Sequence, residues 1–281
     1  MAQVARELAA GAGWRVGEIV CSSGPDDPVE EERHDGACIA AVLGGTFRYR
    51  TSQGAALMAP GTLLLGNEGQ EFACGHEHGT GDHCLSFHYS PAFLDAVAAA
   101  IPGAKTARFR TPALPPAAPL VPLFGEAAAA AETADCDAFE EIAWRLAGYA
   151  VSAGAESTPA DFRSRIEEEH AVALAARKIE SEALELESPA LSLSALAGCA
   201  GMSPYRFLRL FARAVGMTPH RYVLHLRLAR SAEWLITRED EISAIAFDAG
   251  FNDLSGFNRR FRRVMGVTPG AYRARRAANG A

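Results

Sequence analysis

Residues 74–88, CGHEHGTGDHCLSFH, hold four of the eight histidines and two of the six cysteines of a 281-residue chain. Thiolate sulfur and imidazole nitrogen are the donors that a borderline-soft divalent ion takes at roughly 2.0–2.3 Å. On a strand, residues i, i+2 and i+4 share a face, so Cys74, His76 and His78 are expected to project together. The Gly79-Thr80-Gly81-Asp82 turn should bring a returning strand alongside, carrying His83, Cys84 and His88, with Cys84 favoured as the fourth ligand. Cys74, His76, His78 and Cys84 thus predict a site for zinc or another divalent transition metal. Other readings stay open: a reversible Cys74–Cys84 disulfide across the hairpin, an organic effector in the barrel, and surface turn residues with no ligand. Cys21, Cys38, Cys136 and Cys199 read as buried small apolar side chains.

A second set of chemistry-bearing residues lies near the C-terminus. Two segments share one grammar, LSLSALAGCAGMSPYRFLRLFARAVGMTPHRY (residues 191–222) and EISAIAFDAGFNDLSGFNRRFRRVMGVTPGAY (residues 241–272). Each has a short apolar-periodic helix, a Gly (Gly201, Gly250) where a helix C-cap needs positive φ, a polar cap, and a helix rich in Phe and Arg. Ser203 and Asn252 are read as the N-caps, with Pro204 in the first helical position. Phe207, Leu210 and Phe211 make a core face, leaving Tyr205, Arg206 and Arg209 outside. Leu254, Phe257 and Phe261 repeat it, leaving Ser255, Gly256, Asn258, Arg259 and Arg262 outside. Two helix-turn-helix units fit this pattern, and a helix in the major groove lets Arg bond guanine bidentately. The expected DNA contacts are Ser203, Tyr205, Arg206, Arg209, Arg213, Asn252, Ser255, Asn258, Arg259 and Arg262. Arg213, Arg260 and Arg263 suit phosphates, which hold register without reading sequence.

The overall charge of −7 conceals this basic region. Residues 189–281 hold 14 Arg and no Lys against 6 acidic residues, a net of +8, and residues 1–188 carry a net of −15. Such asymmetry points to a basic module that meets an anion, joined to an acidic partner domain. Between the two units, residues 221–237 read as a spacer helix with Tyr222, Leu226, Leu228 and Leu235 at apolar spacing. About 16 residues span roughly 24 Å, which with the flanking units reaches the 34–36 Å repeat of major-groove faces.

Residues from about 168 to 276 resemble the DNA-binding domain of the AraC/XylS family of transcriptional regulators. The resemblance rests on Leu196-Ala197, Met202-Ser203-Pro204-Tyr205, Phe207, Arg209-Leu210-Phe211, Gly216, Thr218-Pro219, Tyr222, Arg227-Leu228, Ile245-Ala246, Gly250-Phe251, Asp253, Ser255, Phe257, Arg259-Arg260-Phe261-Arg262, Gly266, Thr268-Pro269 and Tyr272-Arg273. It implies two helix-turn-helix subdomains joined by a linker helix, with the third and sixth helices entering the groove. The chain departs from the family at Leu254 and Gly256, where larger polar residues are common. Residues 14–90 resemble the cupin-like barrel that many such regulators carry as sensor and dimeriser.

The elements that must position these groups follow from periodicity. Candidate strands are Trp14–Cys21, Ala37–Leu43, Thr46–Thr51, Ala55–Met58, Thr62–Leu65 and Cys84–Tyr89, separated by turn residues. Phe93–Ile101, Leu120–Glu132 and Asp137–Ala153 read as helices, and Pro-rich residues 111–122 as a linker or surface arm. Phe139, Ile142, Leu146 and Tyr149 share one helical face, for core or dimer contact. The fold class is α+β: a cupin-like antiparallel β-barrel in residues 1–110, a Pro-rich arm and helical dimerisation or linker region in 111–160, and an all-α double helix-turn-helix domain in 161–281. Composition, with 49% apolar and 22% charged residues, excludes a disordered or collagen-like chain. No export signal or membrane span is read, so the expectation is a cytoplasmic homodimer on double-stranded DNA, regulating transcription as an activator in contact with RNA polymerase. No catalytic signature is read, and the chain is expected not to be an enzyme. The alternatives are a metal-dependent cupin enzyme tethered to DNA, or a thiol-based redox or alkylation sensor.

Overall fold

The computed structural model describes residues 3–76, 79–102, 104, 107–133, 135–156, 166–186 and 188–279. Its N-terminal strands are β1 (Gln3–Gly11), β2 (Trp14–Cys21), β3 (Glu31–Arg33), β4 (Ala37–Gly45), β5 (Phe47–Thr51), β6 (Gly54–Met58), β7 (Leu63–Gly66), β8 (Glu71–Gly75), β9 (Asp82–Tyr89) and β10 (Ala113–Leu114). They form two antiparallel sheets, one in the order β1-β2-β9-β4-β7-β10 and one in the order β3-β8-β5-β6. The sheets face each other across Phe47, Tyr49 and Met58 on one side and Cys38, Val42, Leu64 and Cys84 on the other. The helices α1 (Pro91–Ala100), α2 (Leu120–Thr133) and α3 (Cys136–Glu156) complete this half. Their apolar residues, Phe139, Ile142 and Leu146 among them, cover the outer face of the larger sheet at Ile39, Leu85 and Phe87. β4 is therefore buried on both faces, which is why it reads as a nearly continuous apolar run, whereas β9 interleaves polar Asp82, His83, Ser86 and His88 with its buried apolar residues.

Two expectations need correction. β8 and β9 are not a hairpin: β8 pairs with β3 and β5, whereas β9 pairs with β2 and β4. The Gly-rich turn between them passes from one sheet to the other, so Cys74 and Cys84 approach from opposite walls of the barrel. Residues 111–122 are also more than a surface arm. Ala113 and Leu114 are buried and pair with Leu64 and Leu63 at the sheet edge, where a neighbouring Pro costs no ladder hydrogen bond. The sheet thus runs past residue 110.

The C-terminal half contains α4 (Ile166–Glu182), α5 (Leu193–Cys199), α6 (Pro204–Val215), α7 (Pro219–Thr237), α8 (Ile242–Asp248), α9 (Leu254–Met265) and α10 (Pro269–Asn279). Its two small cores are related in design. Leu196, Phe207, Phe211 and Tyr222 fill the first, and Ile245, Phe257, Phe261 and Tyr272 the second. Each also takes residues from the barrel half: Leu57 and Ala59 enter the first core, and Val121 of α2 the second. α2 crosses α7 closely at Gly125, where an added Cβ would lie 2.6 Å from that of Ala232.

Candidate functional site

Helices α6 and α9 are built as a matched pair. Ser203 caps α6, its hydroxyl accepting the Arg206 N–H at 3.4 Å. Asp253, rather than Asn252, caps α9, its carboxylate accepting the Gly256 N–H. Gly216 and Gly266 end the helices in the left-handed conformation, and Arg213, Arg262 and Arg263 in the last turns complement the helix dipoles. The Phe faces point inward and the basic faces outward, as the spacing predicts. Tyr205 is 69% exposed, and Arg206, Arg209 and Arg213 lie beside it at the surface. On the second unit Asn252, Ser255, Asn258, Arg259, Arg262 and Arg263 are exposed. The guanidinium of Arg209 lies 5.8 Å from the centroid of the Tyr205 ring, which orients it by cation–π attraction.

Gly256 departs from its expected place on the outer face, because it is buried. A Cβ there would crowd the capping Asp253 carboxylate and the Arg260 guanidinium, and both side-chain ends would have to shift to admit it. Leu254 remains exposed. Sequence reasoning also missed an acidic contact to the basic face. Glu168 of α4 accepts from Arg206 Nη2 at 3.1 Å and from Arg213 Nη2 at 3.3 Å.

The Cys/His segment divides differently from the sequence expectation. Cys84 is buried in the barrel core, with Cys74 packed against it. His83 turns outward to Glu18 at 3.0 Å, and His88 is 3.0 Å from the Ser86 hydroxyl. His78 lies outside the described residues. Donor atoms that converge belong to Cys21, His76 and Asp82, all within 4.8 Å of one another. Cys21 and Asp82 are directly opposed in the β2–β9 ladder, and His76 reaches them from the end of β8. His76 Nε2 sits 2.5 Å from Asp82 Oδ2, and the Cys84 thiol donates to Asp82 Oδ1 at 3.3 Å. Sulfur, imidazole and carboxylate together make a donor set that suits zinc.

Burial pushes the thiols of Cys74 and Cys84 well above the ordinary range, and the Asp82 charge adds to the shift. Cys38 is raised to about 11 by burial. Such thiols carry little nucleophilic thiolate at neutral pH, which weakens the thiol-sensor alternative. None of the six cysteines is joined in a disulfide among the described residues. Cys21 and Cys38 are buried as expected, but Cys136, the first residue of α3, and Cys199, the last of α5, are exposed instead of buried.

A cavity of about 430 Å³ separates the barrel from α7, lined by Gly61, Phe124, Glu180, His225 and Glu233 among others. Burial lowers the His225 pKa to about 4 and raises the carboxyls of Glu180 and Glu233.

Known proteins match both halves. A family model described as a helix-turn-helix domain covers residues 196–275, and one described as an AraC-like ligand binding domain covers residues 18–147. The transcriptional activator RhrA of Rhizobium meliloti (strain 1021) is 42% identical over 96 residues, 33% of this chain and 30% of RhrA. The probable transcriptional regulator LumQ of Photobacterium leiognathi is 34% identical over 82 residues, 29% of this chain and 33% of LumQ. The aligned stretch spans about a third of the length of these relatives. Crystalline ToxT from Vibrio cholerae strain SCE256, solved with an unsaturated fatty acid bound, aligns over 94% of this chain and 95% of its own, at 13% identity and a TM-score of 0.39. Among the described residues, no helix is long and apolar enough to cross a membrane. With its ligand-binding domain matched on one side and its helix-turn-helix domain on the other, the chain belongs to the AraC/XylS family.

Proposed function

We propose that this protein is a cytoplasmic, sequence-specific transcription regulator, and not an enzyme, whose α6 and α9 enter successive major-groove segments of one DNA duplex. The observation that carries this reading is the outward presentation of two matched arginine faces on capped helices, joined by the 19-residue α7. At 1.5 Å per residue α7 is about 28 Å long, commensurate with the groove repeat of 34–36 Å. The name of RhrA, a transcriptional activator, favours an activator, and contact with RNA polymerase belongs to the same proposal. Homodimerisation through the barrel half is part of the same reading, with exposed Trp144 on α3 as a candidate contact. The test is selection of a preferred duplex from a random pool, followed by titration over a range of salt. Binding should be sequence-selective, and log affinity should fall linearly with log salt as phosphates are neutralised. An affinity indifferent to both sequence and salt overturns the proposal.

The signal on this reading is a divalent transition metal, with zinc as the first candidate. The convergence of Cys21, His76 and Asp82 supports it: this reading retains His76 from the expected ligand set and takes Cys21 and Asp82 in place of Cys74 and Cys84. Elemental analysis of protein purified without chelator should find about one ion per chain, lost on Cys21→Ser. A metal-free protein that also fails to take up added zinc removes this reading.

A further inference from the structure

The three donor residues bracket the part of the barrel that holds the DNA-binding half. Between His76 and Asp82 lie Thr80 and Gly81, whose carbonyls accept from Arg177 Nη1 and Nη2, each at 3.0 Å. Arg177 belongs to α4, and its remaining bonds go to Thr46, to the hydroxyl at 2.7 Å and to the carbonyl at 3.1 Å. One turn further along α4, the Glu180 carboxylate accepts the Gly45 N–H at 2.9 Å. Near the other end of the helix, Glu169 faces Arg48 of β5 at 3.6 Å, and Glu168 holds Arg206 and Arg213 of the candidate DNA-reading face. One helix is therefore fastened to the barrel along one side and covers basic DNA-binding groups from its N-terminal end.

We infer that a divalent transition metal at Cys21, His76 and Asp82 releases the Arg177 clip, freeing α4 and with it the basic face of α6. The inference rests on the metal reading above. Its physical basis is charge and geometry. In the structure His76 and Asp82 bond each other, and their side chains are only 5% and 7% exposed. An ion would break that bond, turn both side chains to itself and take the Cys21 sulfur as thiolate, the thiol proton passing to solvent. With neutral imidazole, the site changes from the single negative charge of Asp82 to zero: a divalent cation against one carboxylate and one thiolate. Arg177 then loses the attraction of a nearby anion. Burial already pushes the Arg177 pKa down, and the charges of Glu180 and Asp82 are what oppose that shift. Ligation by His76 and Asp82 also reshapes the turn whose carbonyls grip the guanidinium.

The test uses the full chain, zinc chloride as the probe, and a mixed-sequence duplex at low salt. Cobalt substitution reports thiolate ligation by its charge-transfer absorption, and hydrogen exchange follows the amides of α4. The expected result is that zinc raises duplex affinity by about tenfold and speeds exchange in α4. Arg177→Gln should bind metal as the parent does, bind DNA as tightly as the zinc-loaded parent, and show no further response. Thr46→Val removes one acceptor of the clip and should lie between the two, which keeps the test available if Arg177→Gln fails to fold. If cobalt shows no thiolate band, or Cys21→Ser binds metal undiminished, the metal reading itself fails. If the ion binds through these residues but duplex affinity and α4 exchange do not change, or Arg177→Gln responds to zinc like the parent, the coupling is overturned and the metal site stands.

Discussion

Glu168 holds Arg206 at the surface of α6, carboxylate to guanidinium Nη2 at 3.1 Å, and its other oxygen takes Arg213. Both arginines are more than half exposed, so the pairs contribute little to stability. Their effect is on the field that a duplex meets. Glu168→Gln should tighten duplex binding by about 1 kcal/mol, roughly fivefold, and leave the thermal midpoint nearly unchanged. Fluorescence anisotropy in parallel with a melting curve checks both. Unchanged affinity would mean that Glu168 does not face the duplex.

Arg209 differs from these two, because Tyr205 rather than a carboxylate orients its guanidinium. A base-reading arginine and a phosphate-binding one separate by specificity. Arg209→Ala should lose about 1–3 kcal/mol on the preferred duplex and relax discrimination at one base position. Arg213→Ala should weaken all duplexes alike and reduce the salt slope by about one unit. Competition titrations with single-base operator variants distinguish the two behaviours.

At the start of α9 two adjacent polar residues have separate roles. Asp253 accepts the Gly256 N–H and satisfies one of the helix's unpaired amides, whereas Asn252 is exposed beside it. Asp253→Ala should cost about 1 kcal/mol of stability, within the range of 0.5–2 found for lost caps. Asn252→Ala should leave stability unchanged and affect DNA binding alone. Denaturant unfolding of both variants decides the assignment, and equal losses would refute it.

The C-terminal half was legible because its helices are short-range objects. Ser203-Pro204, the Phe pairs at i, i+4 and the Gly stops each act within one or two turns, so local residues determine both boundaries and buried faces. The cap of α9 was misplaced by a single residue, since Asn252 and Asp253 are chemically equivalent candidates. The barrel was legible strand by strand where apolar residues dominate, as in β2 and β4. β1 was not, because nearly all its side chains are exposed at the sheet edge and leave no apolar period. The converging donors needed more than any local pattern provides. Cys21 meets Asp82 through sheet register, and His76 joins them because the Gly-rich turn changes sheets. The hairpin inferred from that turn placed Cys74 and Cys84 on one face, whereas the sheet crossing sends both into the core.

Two buried histidines make the stability of the fold sensitive to acid. Burial lowers the His34 pKa to about 4, with His88 adding to the shift and Asp35 opposing it, and burial alone lowers His225 to about 4. Free imidazole titrates near 6.5, so below that pH the unfolded chain takes up protons that the folded chain refuses. The stability from each histidine is therefore complete above pH 6.5 and is lost as pH falls toward 4. Glu180 and Glu233, raised by burial beside the same cavity as His225, act in the opposite sense: they favour the folded state at low pH and lose that contribution as pH rises through their folded pKa values. The carboxyl acting on His34 is that of Asp35, which is lowered rather than raised, so His34 gives the cleaner measurement. Its ring nitrogen lies 2.8 Å from the Tyr49 hydroxyl, a contact that glutamine can reproduce. Between pH 7.5 and 5 the parent should lose about 2 kcal/mol more than His34→Gln, from about 1.5 pKa units at 1.36 kcal/mol each. Parallel stability curves for parent and variant would show that His34 is protonated in the folded chain.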